Sequence, residues 1–420
     1  MAYIKADIKA DIKADRGELI SMMDPLLVGE GARQRGNLTD LALDLAQKSA
    51  GFRHSLPDSL LAALADLVRA MNCYYSNLIE GHNTHPVEIE KALKNDYSKD
   101  PRKRDLQLEA KAHIEVQKWI DTGGLKDRTA TSDGIRKIHR RFCEELPDDL
   151  LWVEDPETKE RVRVVPGELR TRHVKVGDHT AVSPGAVPRF LQRFEDVYAH
   201  LGKTDSIVGA AAAHHRLVWI HPFVDGNGRV SRLMSHAMML ETLDTGAVWS
   251  VARGLARENA QPYKRHLAAC DQTRRNDLDG RGHLSEEALA NFTEFFLKTC
   301  IDQVEFMEGL MKPGQLKERI RLWAEEQIRI DALPPKSEKI LDVVLYRGEL
   351  PRGDAAEVVG ASDRHARRIV SALIERGVLA SETPYAPVRL VFPAALAWRW
   401  MPGLFPPVTA TIQPRIINRT

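Results

Sequence analysis

From residue 37 to about 330, apolar positions recur every three to four residues, the period of helices that bury one face. Leu41, Leu43, Leu45 and Ala46 begin the first stripe, and residues 60–71 carry a stronger one. Thr84 with Pro86 predicts an N-cap and first turn leading into a helix over 87–93. Further helices are expected over 106–120, 132–142, 188–201, 205–219, 228–243, 260–273 and 285–311, with Thr204 or Asp205 capping the one at 205. Residues 160–187 break this period. Alternation through 161–165, the pair Pro166–Gly167, and a second run over 173–176 before Gly177 and Asp178 predict short strands or a hairpin.

Pro313, Gly314, Pro334 and Pro335 bracket one charged helix, which predicts a connector over 313–335. Three short helices follow, over 337–346, 352–359 and 362–377, and then two strands, over 378–379 and 388–392. That is the order of a winged helix. In its third helix Arg364, Arg367, Arg368 and Arg376 stand against Asp363 and Glu375. So modest a basic excess favours protein docking, dimerisation or target presentation, and leaves DNA binding through the winged helix open. Trp398 and Trp400 read as packing residues. At the other end, Ile-Lys-Ala-Asp occurs three times over 4–15, setting the isoleucines near one face of a frayed helix. The expected organisation is a partly disordered extension over 1–36 and a helical region over 37–130. A mainly α core with a small β-hairpin follows over 131–312, then the connector, a winged helix over 336–405 and a tail over 406–420.

Composition narrows the partners. At 420 residues with 43% hydrophobic and 28% charged residues, the chain can bury sizeable cores in two or three domains. A net charge of +1 argues against a chain-wide footprint for nucleic acid or anionic membrane. Cys73, Cys143, Cys270 and Cys300 are scattered, with no C-x-x-C pair, and read as reduced core residues. No apolar run reaches the roughly 18 residues needed to span a bilayer, and no signal-peptide run opens the chain. The expectation is a soluble cytoplasmic protein without a membrane partner.

The candidate chemistry is concentrated in residues 221–232, which read His-Pro-Phe-Val-Asp-Gly-Asn-Gly-Arg-Val-Ser-Arg. They lie between two predicted helices, so Gly226 and Gly228 lead into a fresh helix N-terminus with unpaired N–H groups and a positive dipole end. Such a terminus favours an anion, and glycine lets the backbone approach a phosphate closely. Arg229 and Arg232, three residues apart, can reach towards that anion from one face. Asp225 offers a hard oxygen for magnesium, which takes one or two carboxylates together with substrate phosphates. His221 can accept a proton near neutral pH.

These residues match every fixed position of H-x-F-x-D/E-G-N-G-R-x-x-R, and on them the chain resembles the Fic (Fido) family. The resemblance implies an α-helical core and transfer of AMP from ATP to a hydroxyl side chain of a target protein, itself included. It implies His221 as general base, Asp225 as ligand of Mg²⁺, and Gly226, Asn227 and Gly228 as the anion hole. Arg229 and Arg232 would clamp the β- and γ-phosphates, and Phe223 would pack inward to fix the loop.

Upstream, Ser76-Asn-Leu-Ile-Glu80-Gly81 reads by itself as a helix end followed by a glycine C-cap. Beside a Fic-like core it matches the family's inhibitory pattern S/T-x-x-x-E-G/N. The resemblance then implies that Glu80 pairs with Arg232 and denies it to the γ-phosphate. The same glutamate could instead orient water for removal of AMP. The hairpin at about 172–182 resembles the family's flap, which lays a target segment beside the site, although an ordinary hairpin would have the same pattern. Tyr263 stands where relatives place an aromatic against adenine, and equally where a core tyrosine would stand. Residues 277–282 mimic a calcium loop, but Ala288 replaces the glutamate such a loop needs. His214 and His215 face different ways on a helix and make a poor metal pair.

The expectation is a magnesium-dependent protein adenylyltransferase restrained by Glu80. The alternatives are another nucleotide donor, removal of AMP from targets, or a DNA-binding regulator with a nucleotide-sensing core. Target and oligomeric state, a homodimer included, stay open.

Overall fold

A computed structural model describes residues 4–5, 15–154 and 159–406, the side chains of Ile4, Lys5 and Ser59 excepted. The chain divides into two compact units, residues 1–309 and 310–420. Most of the Ile-Lys-Ala-Asp repeat, and the tail beyond 406, lie outside the described residues.

In the first unit the helices are α1 (Arg35–His54), α2 (Asp58–Ile79), α3 (Pro86–Leu93), α4 (Pro101–Asp121), α5 (Ser132–Glu144), α6 (Val187–Tyr198), α7 (Lys203–Ile220), α8 (Asn227–Leu243), α9 (Ala252–Leu255), α10 (Gln261–Cys270) and α11 (Glu286–Met311). The unit is built around α7 and α8. In α7 the run Ala210, Ala211, Ala212 and Ala213 is buried without remainder, and small side chains of this kind let neighbouring helices approach from several sides. Helix α8 buries polar side chains together with apolar ones, including Asn227, Arg229, Ser231, Arg232 and Ser235. A helix buried on both faces has no clean amphipathic stripe, and buried polar groups there need built partners.

Several helix boundaries differ from those expected. Helix α4 begins at Pro101, with the Asp100 carboxylate accepting from Arg102 and Lys103 N–H; its charged first turn carries no apolar stripe. Helix α3 is capped by the His85 ring, which accepts from Val87 N–H, and Thr84 is buried. Helix α7 starts after Gly202, so neither Thr204 nor Asp205 caps it; Asp205 pairs instead with Arg35.

The strands of this unit are β1 (Ile4–Lys5), β2 (Trp152–Glu154), β3 (Arg161–Arg163), β4 (Lys175–Val176) and β5 (His179–Thr180). The run 161–163 pairs antiparallel with β2, an element not foreseen. Strands β4 and β5 form the expected hairpin around Gly177, and β1 adds antiparallel to β4 with Ile4 opposite Val176.

The second unit contains α12 (Pro313–Arg329), α13 (Ser337–Arg347), β6 (Glu349–Leu350), α14 (Ala355–Val359), α15 (Asp363–Glu375), β7 (Leu379–Ala380), β8 (Val388–Leu390) and α16 (Ala397–Trp400). Its sheet order is β6-β8-β7, all antiparallel. Helix α12 packs within this unit, with Trp323 edge-on to Trp400 at 5.3 Å. Helix α15 buries Ala366, Ile369, Val370 and Leu373 and exposes Arg364, Arg367 and Arg368. Among the described residues, no helix is long and apolar enough to cross a membrane.

Candidate active site

The turn between α7 and α8 holds the candidate residues. His221 ends α7 in a left-handed conformation (φ 52°, ψ 61°), which for a residue other than glycine costs about 1–2 kcal/mol and persists only where the surroundings enforce it. Gly226 opens α8 at φ 80°, a conformation that suits glycine. Between them the loop is closed by Asn227, whose Oδ1 accepts from Phe223 N–H at 3.0 Å and whose Nδ2 donates to Phe223 O at 2.9 Å. Phe223 is wholly buried and stacks on His139 with ring centres 3.9 Å apart. The structure therefore uses the Asn227 side chain to shape the loop, leaving its backbone and that of Gly228 at the helix N-terminus.

Arg232, 3% exposed, is held from three directions. Its NH2 donates to Glu80 Oε1 at 2.6 Å and to Ser76 O at 3.2 Å, and its Nε donates to Ser76 Oγ at 2.8 Å. Ser76 and Glu80 are four residues apart, so both face the same way at the end of α2. Gly81, at φ 88°, then turns the chain away. Burial pushes the Glu80 carboxyl pKa up, but the Arg232 and Arg229 guanidiniums outweigh it and hold the pKa below the usual value. The carboxylate also lies over the candidate anion hole: a methyl group on Gly228 would fall 2.4 Å from Glu80 Oε1.

Arg229 donates to Asp225 Oδ2 at 2.9 Å and to Glu109 Oε2 at 3.4 Å, and lies 4.6 Å above the Phe142 ring. Glu109 in turn meets His82 Nδ1 at 2.8 Å. The Asp225 side chain is half exposed. His221 Nδ1 lies 3.2 Å from Val218 O. A carbonyl can only accept, so Nδ1 carries the proton and Nε2 keeps its lone pair. Burial, followed by the nearby Arg170 cation, pushes the His221 pKa down to about 4. The ring is therefore neutral at pH 7, the state a base requires.

Tyr263 is buried, and its hydroxyl meets His214 Nε2 at 2.7 Å. It forms part of the packing beneath Arg232, and burial pushes its pKa up to about 12. His214 and His215 have separate partners: Ser235 and Tyr263 for the first, Asp271 and Arg216 for the second. Asp279, from the segment that mimics a calcium loop, accepts from Ser285 Oγ and Glu287 N–H at the start of α11.

Four residues at the site carry no local signal in the sequence. Arg170 and His139 reach the turn itself, Glu109 reaches Arg229, and His82 stands behind Glu109, all from loops and helices distant in the chain. Their positions follow from packing alone.

The buried histidines have a measurable consequence. Burial pushes the pKa of His113 and His214 down to about 3, and that of His139 and His215 to about 4. In the unfolded chain each titrates near 6.5. Below that pH the unfolded chain binds more protons than the folded one, so stability is lost as pH falls towards 4. The loss is about 1.4 kcal/mol per histidine per pH unit. Thermal melts from pH 7.5 to 4.5 are expected to show Tm falling steadily below about pH 6.5; a Tm unchanged down to pH 5 would contradict this.

A helical bundle with a glycine-containing turn that opens a buried helix N-terminus defines the class. Residues 129–239 match the Fic/DOC family, and the chain carries a domain of that family. It is similar to the protein adenylyltransferase Fic of Drosophila erecta, with 28% identity over 222 residues, 50% of this chain and 42% of that protein. Its Drosophila virilis counterpart is 31% identical over 169 residues, 40% of this chain and 32% of the relative. The matched stretch thus spans less than half the length of either relative. Among solved structures, a Fic family protein from Desulfovibrio desulfuricans G20 superposes with a TM-score of 0.48 at 17% identity, covering 84% of this chain and 95% of that one. A Fic-1 fragment from C. elegans gives 0.49 at 19% identity, with coverage of 66% and 74%.

Proposed function

We propose that the chain transfers AMP from ATP to a serine, threonine or tyrosine hydroxyl of a target protein, and that Glu80 holds its resting state off. The observation that carries this reading is the Glu80 carboxylate, bonded to Arg232 and lying against Gly228. A carboxylate sits where phosphate oxygens would be received, so the site is an anion cradle with its own anion inside.

In the proposed reaction the target hydroxyl attacks the α-phosphorus, its proton passes to His221 Nε2, and the bond to the β-phosphate breaks to release pyrophosphate. Arg229 and Arg232 would stabilise charge growing on that leaving group, and the N–H groups that open α8 would face the transferred phosphoryl. Asp225 fits a magnesium site: its carboxylate is half exposed at the mouth of the cradle, and this ion takes one or two carboxylates beside nucleotide phosphates. When bound there, Mg²⁺ would supply charge neutralisation on the phosphates. Target docking on the β4–β5 hairpin is supported by β1, because an extended segment already pairs with β4 through its backbone.

The test uses purified Glu80→Gly protein with Mg²⁺ and each of four nucleotides labelled at the α-phosphate. Label on protein is expected from ATP, with none from ATP labelled at the γ-phosphate. Preferential labelling from another nucleotide would replace the donor. Release of AMP from a pre-modified target without any forward labelling would replace the reaction.

A further inference from the structure

Arg170 is 2% exposed, and the hydrogen bonds of its side chain end on backbone carbonyls. Nε donates to His221 O at 2.7 Å, NH1 to Arg172 O at 2.8 Å, and NH2 to Val182 O at 2.5 Å and Ile220 O at 3.4 Å. Its own N–H donates to Pro222 O at 2.9 Å. Three of these carbonyls belong to consecutive residues at the end of α7, where His221 adopts its left-handed conformation. The other two flank the β4–β5 hairpin, whose His179 ring also meets Trp219 O at 2.8 Å.

A buried cation is costly to keep, and an apolar side chain could fill the same volume. What an apolar side chain cannot supply is a rigid planar fork of donors reaching separate carbonyls at once. We propose that Arg170 is a positioning residue that fixes the backbone of His221 and ties it to the hairpin, so that the base and a docked target segment keep one geometry. This rests on the reading of His221 as base. The charge matters as well as the fork. Burial pushes the Arg170 pKa down to about 10, so it stays protonated at neutral pH, and its field helps to keep the His221 ring neutral. Besides burial, the other groups acting on that ring are the Val218 carbonyl and Asp225, which oppose Arg170, and His179, which adds to its effect.

The test combines a titration that needs no turnover with a kinetic measurement. The His221 ring is followed by NMR in ¹³C-histidine-labelled protein, with its resonance assigned from the peak lost in His221→Gln. In Arg170→Leu the His221 midpoint is expected to rise by about one unit or more, since a neighbouring cation is removed. In Arg170→Lys, which keeps a cation but not the fork, the midpoint is expected to stay near that of the parent.

Both substitutions, made in the Glu80→Gly background, are expected to lower kcat for AMP transfer roughly tenfold to a hundredfold while the KM for ATP changes by less than about twofold. Guanidinium chloride at non-denaturing concentration is expected to restore part of the activity of Arg170→Ala. If Arg170→Leu does not fold, Arg170→Lys carries the test, and an undiminished kcat in it overturns the proposal. An unshifted His221 in folded Arg170→Leu also overturns it. A shifted His221 in a protein that transfers no AMP in any background would sink the proposed reaction and leave the positioning role standing.

Discussion

Replacing Glu80 by glycine is expected to raise the rate of AMP transfer by roughly tenfold to more than a hundredfold, the equivalent of a charge-assisted hydrogen bond of about 1.5–3 kcal/mol returned to the substrate. The direction follows from who holds Arg232. In the structure Glu80 Oε1 lies 2.6 Å from its NH2, and the same oxygen would lie 2.4 Å from a methyl group placed on Gly228. Removing the carboxylate frees the guanidinium and opens the helix terminus in one step. The fold should tolerate the change, because Ser76 still offers Arg232 a hydroxyl and a carbonyl. Labelling by α-³²P-ATP reads the gain, and adding Arg232→Ala to Glu80→Gly is expected to erase it. Equal labelling with and without Glu80 would remove the inhibitory role.

The second large effect is loss of the proposed base. His221→Ala in the Glu80→Gly background is expected to lower kcat by about 10² to 10⁴, the usual contribution of a positioned general base. The His221 side chain contributes one hydrogen bond, to Val218 O, while the turn is held by Asn227 on the Phe223 backbone and by Arg170 on three consecutive carbonyls. The loop should therefore survive, and ATP affinity by calorimetry is expected to stay within about twofold of the parent variant. Transfer that persists at the parent rate would remove His221 from the proton path. A matching loss of ATP binding would mean that the substitution had collapsed the cradle.

How far the sequence spoke for itself depends on the range of each interaction. Residues 221–232 act through a single turn and a helix terminus, so their spacing alone indicates an anion site, and the loop is where the pattern places it. Ser76 and Glu80 share one helix face, and that spacing was visible too, although Arg232 lies more than 150 residues away. Long-range partners were not legible. Arg170 sits in a Gly-Glu-Leu-Arg stretch with no periodic or motif signal, and only tertiary packing brings it to His221. Glu109 looks like one of several charges along α4 until Arg229 and His82 are seen around it. Tyr263 shows the opposite difficulty: an aromatic at a suggestive position was ambiguous, and the structure places it on His214 in the core. Among the elements, the 161–163 run was legible as a strand but its partner β2 was not, since Trp152–Glu154 is too short to show alternation.

The central claim is that Arg232 is contested between Glu80 and the γ-phosphate. Its most direct test is calorimetric titration of Mg²⁺-ATP and Mg²⁺-ADP into the parent protein and into Glu80→Gly. With Arg232 occupied by Glu80, the parent is expected to bind the two nucleotides with similar affinity. With Arg232 free, Glu80→Gly is expected to prefer ATP by about tenfold or more, the value of one charged contact to the extra phosphate. The same ATP-to-ADP ratio in both proteins would contradict the account.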